Sequence, residues 1–133
     1  MLHDLKYTVG LAPQVVATSD TAIASAIIDC QGCSEMEFVI LTGTLSDVDA
    51  TFATTLEHGD ASNLSDTAAV PDSDMVGTLE AGASFLFSDD SAVKKLGYKV
   101  RKRYAKLTIT PTGNTGNVPI SILALGYPLR QPA

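Results

Sequence analysis

Apolar and polar residues alternate along this chain in short runs separated by clusters of Gly, Pro, Asn, Asp and Ser. Period-two alternation is the mark of half-buried strands. Lys6 to Val9 and Gln14 to Ala17 read as two extended pieces separated around Pro13. Ala22 to Asp29 is apolar enough for a strand, while its alanines leave a helix open. Glu37 to Leu45 reads as an interior strand, and its continuous FVIL predicts that both faces are covered. Thr51 to Glu57 places Phe52, Thr54 and Leu56 on one face, and HGDASN (His58 to Asn63) then marks a turn. Asn63 to Gly77 predicts a loop with one irregular edge strand, and Ala83 to Phe87 a further short strand ended by SDDS.

The stretch LGYKVRKRYAKLTITPTG, Leu96 to Gly113, changes phase within itself. Leu96, Tyr98 and Val100 share one face against Gly97, Lys99 and Arg101, yet Ala105, Leu107 and Ile109 continue the apolar face at odd positions. A regular strand cannot change parity, so a turn or bulge is required between Lys99 and Arg103. TPTGNTGN forms the next turn, and Val118 to Leu125 the last strand. The total is about eight short strands at the ~8–12-residue spacing of an all-β sandwich. The expected fold is an antiparallel β-sandwich of jelly-roll or related Greek-key type. It forms one domain over residues 1–133, with short arms at residues 1–7 and 127–133.

Composition supports folding, with 45% apolar and 18% charged residues in 133. The net charge of −6 argues against a general attraction to nucleic acid or anionic membrane. No run approaches the ~20 apolar residues of a membrane span. The start, MLHDLKYTVG, lacks the pattern of a signal peptide, so synthesis in a cytoplasm with no export by the standard route is expected. Charge is nonetheless unevenly placed: seven of the nine Lys and Arg lie between Lys94 and Lys106, with no carboxylate among them. Three readings stay open for that stretch: a strand face paired with carboxylates from elsewhere, a docking edge for a protein, or a nucleic-acid patch interleaved with Tyr98 and Tyr104.

Candidate chemistry is sparse. Cys30-Gln-Gly-Cys33 lacks the second ligand pair of a zinc site and the βαβ setting of a redox motif. Structural thiols are expected, with a disulfide left open. His3 and His58 have no nucleophile motif beside them, and His58 falls on a predicted solvent-exposed turn. The acidic pairs Asp47/Asp49, Asp72/Asp74 and Asp89/Asp90 lack calcium-loop spacing and read as solvated loop charge. The absence of Trp weakens a carbohydrate-binding reading. No catalytic residue, metal or cofactor is expected.

Several of these segments together resemble the small jelly-roll head decoration, or cement, proteins of tailed bacteriophages. The resemblance is carried by Gly97-Tyr98, Lys102-Arg103-Tyr104, the Thr-rich strand to Thr110, the Gly113 and Gly116 turn, and the ending LGYPLRQPA. DLKYTVGLAPQVV and the hairpin from Leu56 to Asp66 are similar in style. CQGC and Val100-Arg101 depart from the pattern. The resemblance implies a non-enzymatic virion protein on the capsid exterior that cements neighbouring major capsid subunits. It also implies a homo-oligomer, a dimer before a trimer. Docking would run through Tyr98, Lys99, Arg101, Lys102, Arg103 and Tyr104. Another phage head or tail component, or a carbohydrate-binding module, is the alternative.

Overall fold

The computed structural model describes residues 5–16, 20–76, 80–86 and 89–128. Eleven strand segments occur among them: β1 (Lys6–Val16), β2 (Ile23–Ala24), β3 (Ile28–Asp29), β4 (Cys33–Thr42), β5 (Thr51–Gly59), β6 (Ala68–Ala69), β7 (Met75–Val76), β8 (Phe85–Leu86), β9 (Val93–Lys99), β10 (Tyr104–Thr112) and β11 (Val118–Pro128). The order β1-β11-β4-β9-β7 forms one sheet, and β2-β10-β5-β6 the other, with β3 beside β10 and β8 beside β5. Every pairing is antiparallel.

Treating β2 with β3 as one position and β6 with β8 as another, and setting the two-residue edge strand β7 aside, leaves eight positions and a simple rule. First pairs with last (β1 with β11), second with second-last (β2/β3 with β10), third with third-last (β4 with β9), and the middle two pair with each other. A long antiparallel ribbon folded in half and rolled has this pairing, and it is a jelly roll. The two sheets face one another over Phe38, Ile40, Leu96 and Tyr98 on one side and Leu56, Leu107 and Ile109 on the other, all fully buried. Phe52 stacks on Phe85 at the margin, with ring centroids 4.8 Å apart.

Several segments depart from the sequence pattern for identifiable reasons. β1 is one strand rather than two pieces, because register shifts between Val9 and Leu11 and between Leu11 and Gln14 absorb Gly10 and Pro13. Residues 22–29 form two brief pairings instead of one strand. Between them the Ser25 hydroxyl accepts the Leu107 N–H at 3.0 Å, replacing a backbone carbonyl. FVIL is covered on one face: Phe38 and Ile40 are buried, while Leu41 is 49% exposed. Residues 63–76 supply two edge pieces, one to each sheet, with a 3-10 turn (Asp72–Asp74) between them.

The parity change in the basic stretch also has a definite cause. β9 and β10 lie in different sheets, so residues 100–103 are a crossover, neither hairpin nor bulge. Passing from one sheet to the facing sheet reverses which side of the strand is inward. Even positions are therefore buried in β9 and odd positions in β10.

A single helical turn, α1 (Glu80–Ala83), is absent from the sequence reading and covers an exposed stretch of β5. The Glu80 carboxylate accepts the Leu56 N–H at 2.6 Å, and the Ser84 hydroxyl accepts the Thr54 N–H at 3.0 Å. These bonds satisfy strand groups that would otherwise offer an open edge. Lys6 and Tyr7 belong to β1, and Tyr127 and Pro128 to β11, rather than to arms. Residues 1–4 and 129–133, with Ala17, Gly77 and Phe87, lie outside the described residues.

Gly97 sits where β7 closes on β9. A Cβ there would stand 2.9 Å from the Val76 Cβ and closer still to the Val76 carbonyl oxygen. Backbone cannot yield as a flexible side chain can, so any methyl group displaces β7. Gly97→Ala is expected to destabilise the domain by about 1–3 kcal/mol. Urea denaturation measures this, and an unchanged midpoint would show that β7 contributes nothing to the folded state.

Candidate functional site: the basic crossover

The crossover is assembled around one buried hydroxyl. Tyr98 is completely buried, and its oxygen accepts the N–H groups of Arg101 at 3.2 Å and Lys102 at 3.1 Å. The same hydroxyl lies 2.7 Å from Nδ1 of His58. An oxygen already accepting two N–H bonds spends its one proton on Nδ1, which places the imidazole proton on Nε2. The two rings meet edge to face, with centroids 5.6 Å apart. Further bonds fix the path: Val100 N–H to the Ser34 carbonyl at 3.1 Å, Cys30 N–H to the Arg103 carbonyl at 2.6 Å, and Arg103 N–H to Asp60 at 3.2 Å.

The cations leave this rigid turn toward water, where carboxylates from distant parts of the chain meet them. Arg103 grips Asp29 through two parallel bonds of 3.0 Å, with its guanidinium carbon 5.1 Å from the centre of the Tyr104 ring. Arg101 pairs with Asp74 at 3.0 Å, and Lys102 with Asp60 at 3.7 Å. Nearby, Lys94 pairs with Asp89 and Lys106 with Glu57. Exposed pairs of this kind contribute only ~0–1 kcal/mol each. Lys95 and Lys99 have no carboxylate within 4 Å among the described residues, and both face out from β9.

Of the six residues expected to dock, five therefore reach the surface to some degree. Lys99, Arg101 and Arg103 are exposed, while Lys102 and Tyr104 are half-buried. Tyr98 is corrected from a docking residue to an interior one, because the parity that puts Leu96 inward puts Tyr98 inward too. His58 is corrected from an exposed turn residue to a buried member of β5, continuing the face of Phe52, Thr54 and Leu56. That period-two continuation was available in the sequence. The counter-ions Asp29, Asp60 and Asp74 carried no local signal, being 27–74 positions from their partners along the chain or joined only through folding.

The remaining chemical side chains are bound into structure. Cys30 and Cys33 are free, buried thiols flanking a turn closed by the Cys33 N–H to Cys30 carbonyl bond of 3.1 Å, with Gly32 at φ +84°. Burial first, then the neighbouring Cys33 thiol and the Asp29 carboxylate, pushes the Cys30 thiol up to about 12. The protonated thiol is therefore the favoured form of Cys30 at neutral pH. Asp47 holds the far turn by accepting from Thr115 and Asp49, and Asp66 holds the β5–β6 loop by accepting from Asp60 and Ala61.

No family model matches the chain, and no curated protein matches it. Among solved structures, it shows limited similarity to the structure of infectious bursal disease virus, Gx strain. That match has 11% identity, covers 92% of this chain and 32% of the viral chain, and has a TM-score of 0.33. The chain thus spans about a third of the length of that chain. At such a score the likeness carries no argument about function.

Burial, followed by the positive charge of Lys102, lowers the proton affinity of His58, against the pull of Asp74, Asp60 and Asp66. The unfolded chain then binds a proton at the ordinary value of 6.5 that the folded chain resists, so stability rises with pH across that window. Unfolding free energy is expected to fall as pH drops below 6.5. A second loss should follow as pH falls through 3.8, where Asp29 takes up a proton in the unfolded chain but, held down to about 2 by Arg103 and the Gln31 N–H, stays ionised in the folded one. Tyr98→Phe should cost about 1–3 kcal/mol at pH 8 by leaving two N–H groups and Nδ1 unpaired. Chemical denaturation at a series of pH values tests both, and a flat profile between pH 5 and pH 7 (~2 units around the His value) would contradict the His58 assignment.

Proposed function

We propose that this chain is a non-enzymatic structural protein of a tailed-phage virion, binding the outer capsid surface and cementing neighbouring major capsid subunits. The observation that carries this reading is the convergence of the motif residues on one crossover. Gly97 admits β7, Tyr98 ties the turn from inside, and Lys102, Arg103 and Tyr104 stand on the outside of the same turn. Residues that make the chain resemble decoration proteins thus serve one rigid, outward-facing edge. A pre-ordered edge loses little entropy on docking. Its cations, each near a carboxylate, favour a protein surface of mixed charge over a polyanion. The jelly-roll sandwich and the commitment of both thiols and His58 to interior structure are consistent with a binding role.

The protein should co-sediment with expanded capsids and raise their resistance to heat or low salt. Arg101→Glu combined with Lys102→Glu is expected to raise the half-saturating concentration about tenfold or more, ~1.4 kcal/mol, without a change in circular dichroism. Undiminished occupancy would remove the crossover from the docking surface. Failure of the wild-type protein to bind capsids, with retention on a glycan column, would replace this reading with a carbohydrate-binding one.

A further inference from the structure

The outward face of the five-stranded sheet is unusually apolar for a surface. Val9, Leu41, Val93 and Tyr127 on it are 61%, 49%, 55% and 60% exposed. Cross-strand register arranges the face in rows: Tyr127–Glu35–Lys99, then Tyr7–Leu125–Glu37–Gly97–Val76, then Val9–Leu123–Val39–Lys95, then Ser121–Leu41–Val93. A contiguous apolar surface of this kind on a small domain marks an interaction site. The four rows extend roughly 20 Å along the strands and roughly 24 Å across the five, the scale of a small specific interface.

We infer that this face joins two copies of the chain in a two-fold symmetric dimer. The order of its charges supports a second copy as the occupant. Glu35 and Glu37 stand on β4, Lys95 and Lys99 on the adjacent β9, so the face is neutral although the chain carries −6. Consider a two-fold axis parallel to the strands and midway between β4 and β9. It lays each copy's β4 over the other's β9, and residues opposite in register meet their counterparts across the interface. Glu35 then faces Lys99, Leu41 packs on Val93, and Leu125 lies over Val76.

Shape agrees with charge. Gly97 presents no side chain, and a depression of about 360 Å³ opens there, lined in part by Val76, Glu37, Leu125 and Tyr127. The same axis carries Leu125 of a second copy into this depression. Acid over base, aliphatic over aliphatic and knob over hollow all arise from one operation.

This inference is independent of capsid binding, since its test contains no capsid. Sedimentation equilibrium between about 1 and 100 µM should give twice the 13.9 kDa chain mass at the upper end. Leu41→Glu should yield monomer at every concentration while leaving the thermal unfolding curve of the monomer intact. Glu35→Lys and Lys99→Glu should each raise the dissociation constant about tenfold or more. An equal mixture of those two variants should recover dimer, because the like charges in each homodimer become opposite charges in the mixed one. An intramolecular Glu35–Lys99 pair cannot produce that recovery. A wild-type monomer at the highest concentration, a dimer indifferent to Leu41→Glu, or no recovery on mixing would each overturn the inference.

Discussion

The hydroxyl of Tyr98 ties one sheet to the other through three hydrogen bonds. It sits where the chain leaves one sheet for the other, and it binds both sides of that passage. His58 reaches it from β5, while the backbone of residues 101 and 102 reaches it from the crossover. Buried polar groups are costly unless every partner is present, and here each partner is supplied. The two sheets are consequently joined by a directional bond as well as by apolar contact. Apolar contact alone would allow the sheets to slide; a triply bonded oxygen admits one arrangement. The cations of residues 101–103 inherit their positions from it.

How much of this could be read from sequence depended on range. Alternation along a strand is a local property, and it located β5, β10 and β11 and the inward sets Phe52/Leu56 and Leu107/Ile109 correctly. The parity change placed the turn after Lys99, although only the sheet assignment revealed it as a crossover. Where side chains replace backbone partners, alternation fails. Ser25 interrupts one strand, and Glu80 and Ser84 cover another, through bonds that link residues 24–82 positions apart. Charge was the least legible property. The run from Lys94 to Lys106 looks strongly basic until Asp29, Asp60, Asp74 and Asp89 fold against it. A linear count cannot reveal neutralisation by residues brought in from elsewhere.

The two outward surfaces then differ in kind. The crossover displays cations already engaged with carboxylates, a polar and well-hydrated edge whose contribution lies in fixed position. The open sheet face displays aliphatic and tyrosine side chains with balanced charges in adjacent columns. The first suits adjustable contact with a large surface; the second suits close packing against a matched one. The two surfaces adjoin at Lys99, the last residue of β9, while Arg101, Lys102 and Arg103 lie beyond the sheet face.

The rolled ribbon has a consequence for how the chain comes into being. β11 lies between β1 and β4, so the sheet that begins with the sixth residue cannot close until the last strand has been made. A nascent chain lacking Val118–Pro128 holds β1 without its neighbour and β4 with an unpaired edge. Such topologies, dominated by distant pairings, fold slowly, on a scale of ~ms–s. Closure of this sheet therefore waits until β11 has been made, and an incomplete product exposes the strand edges that drive aggregation.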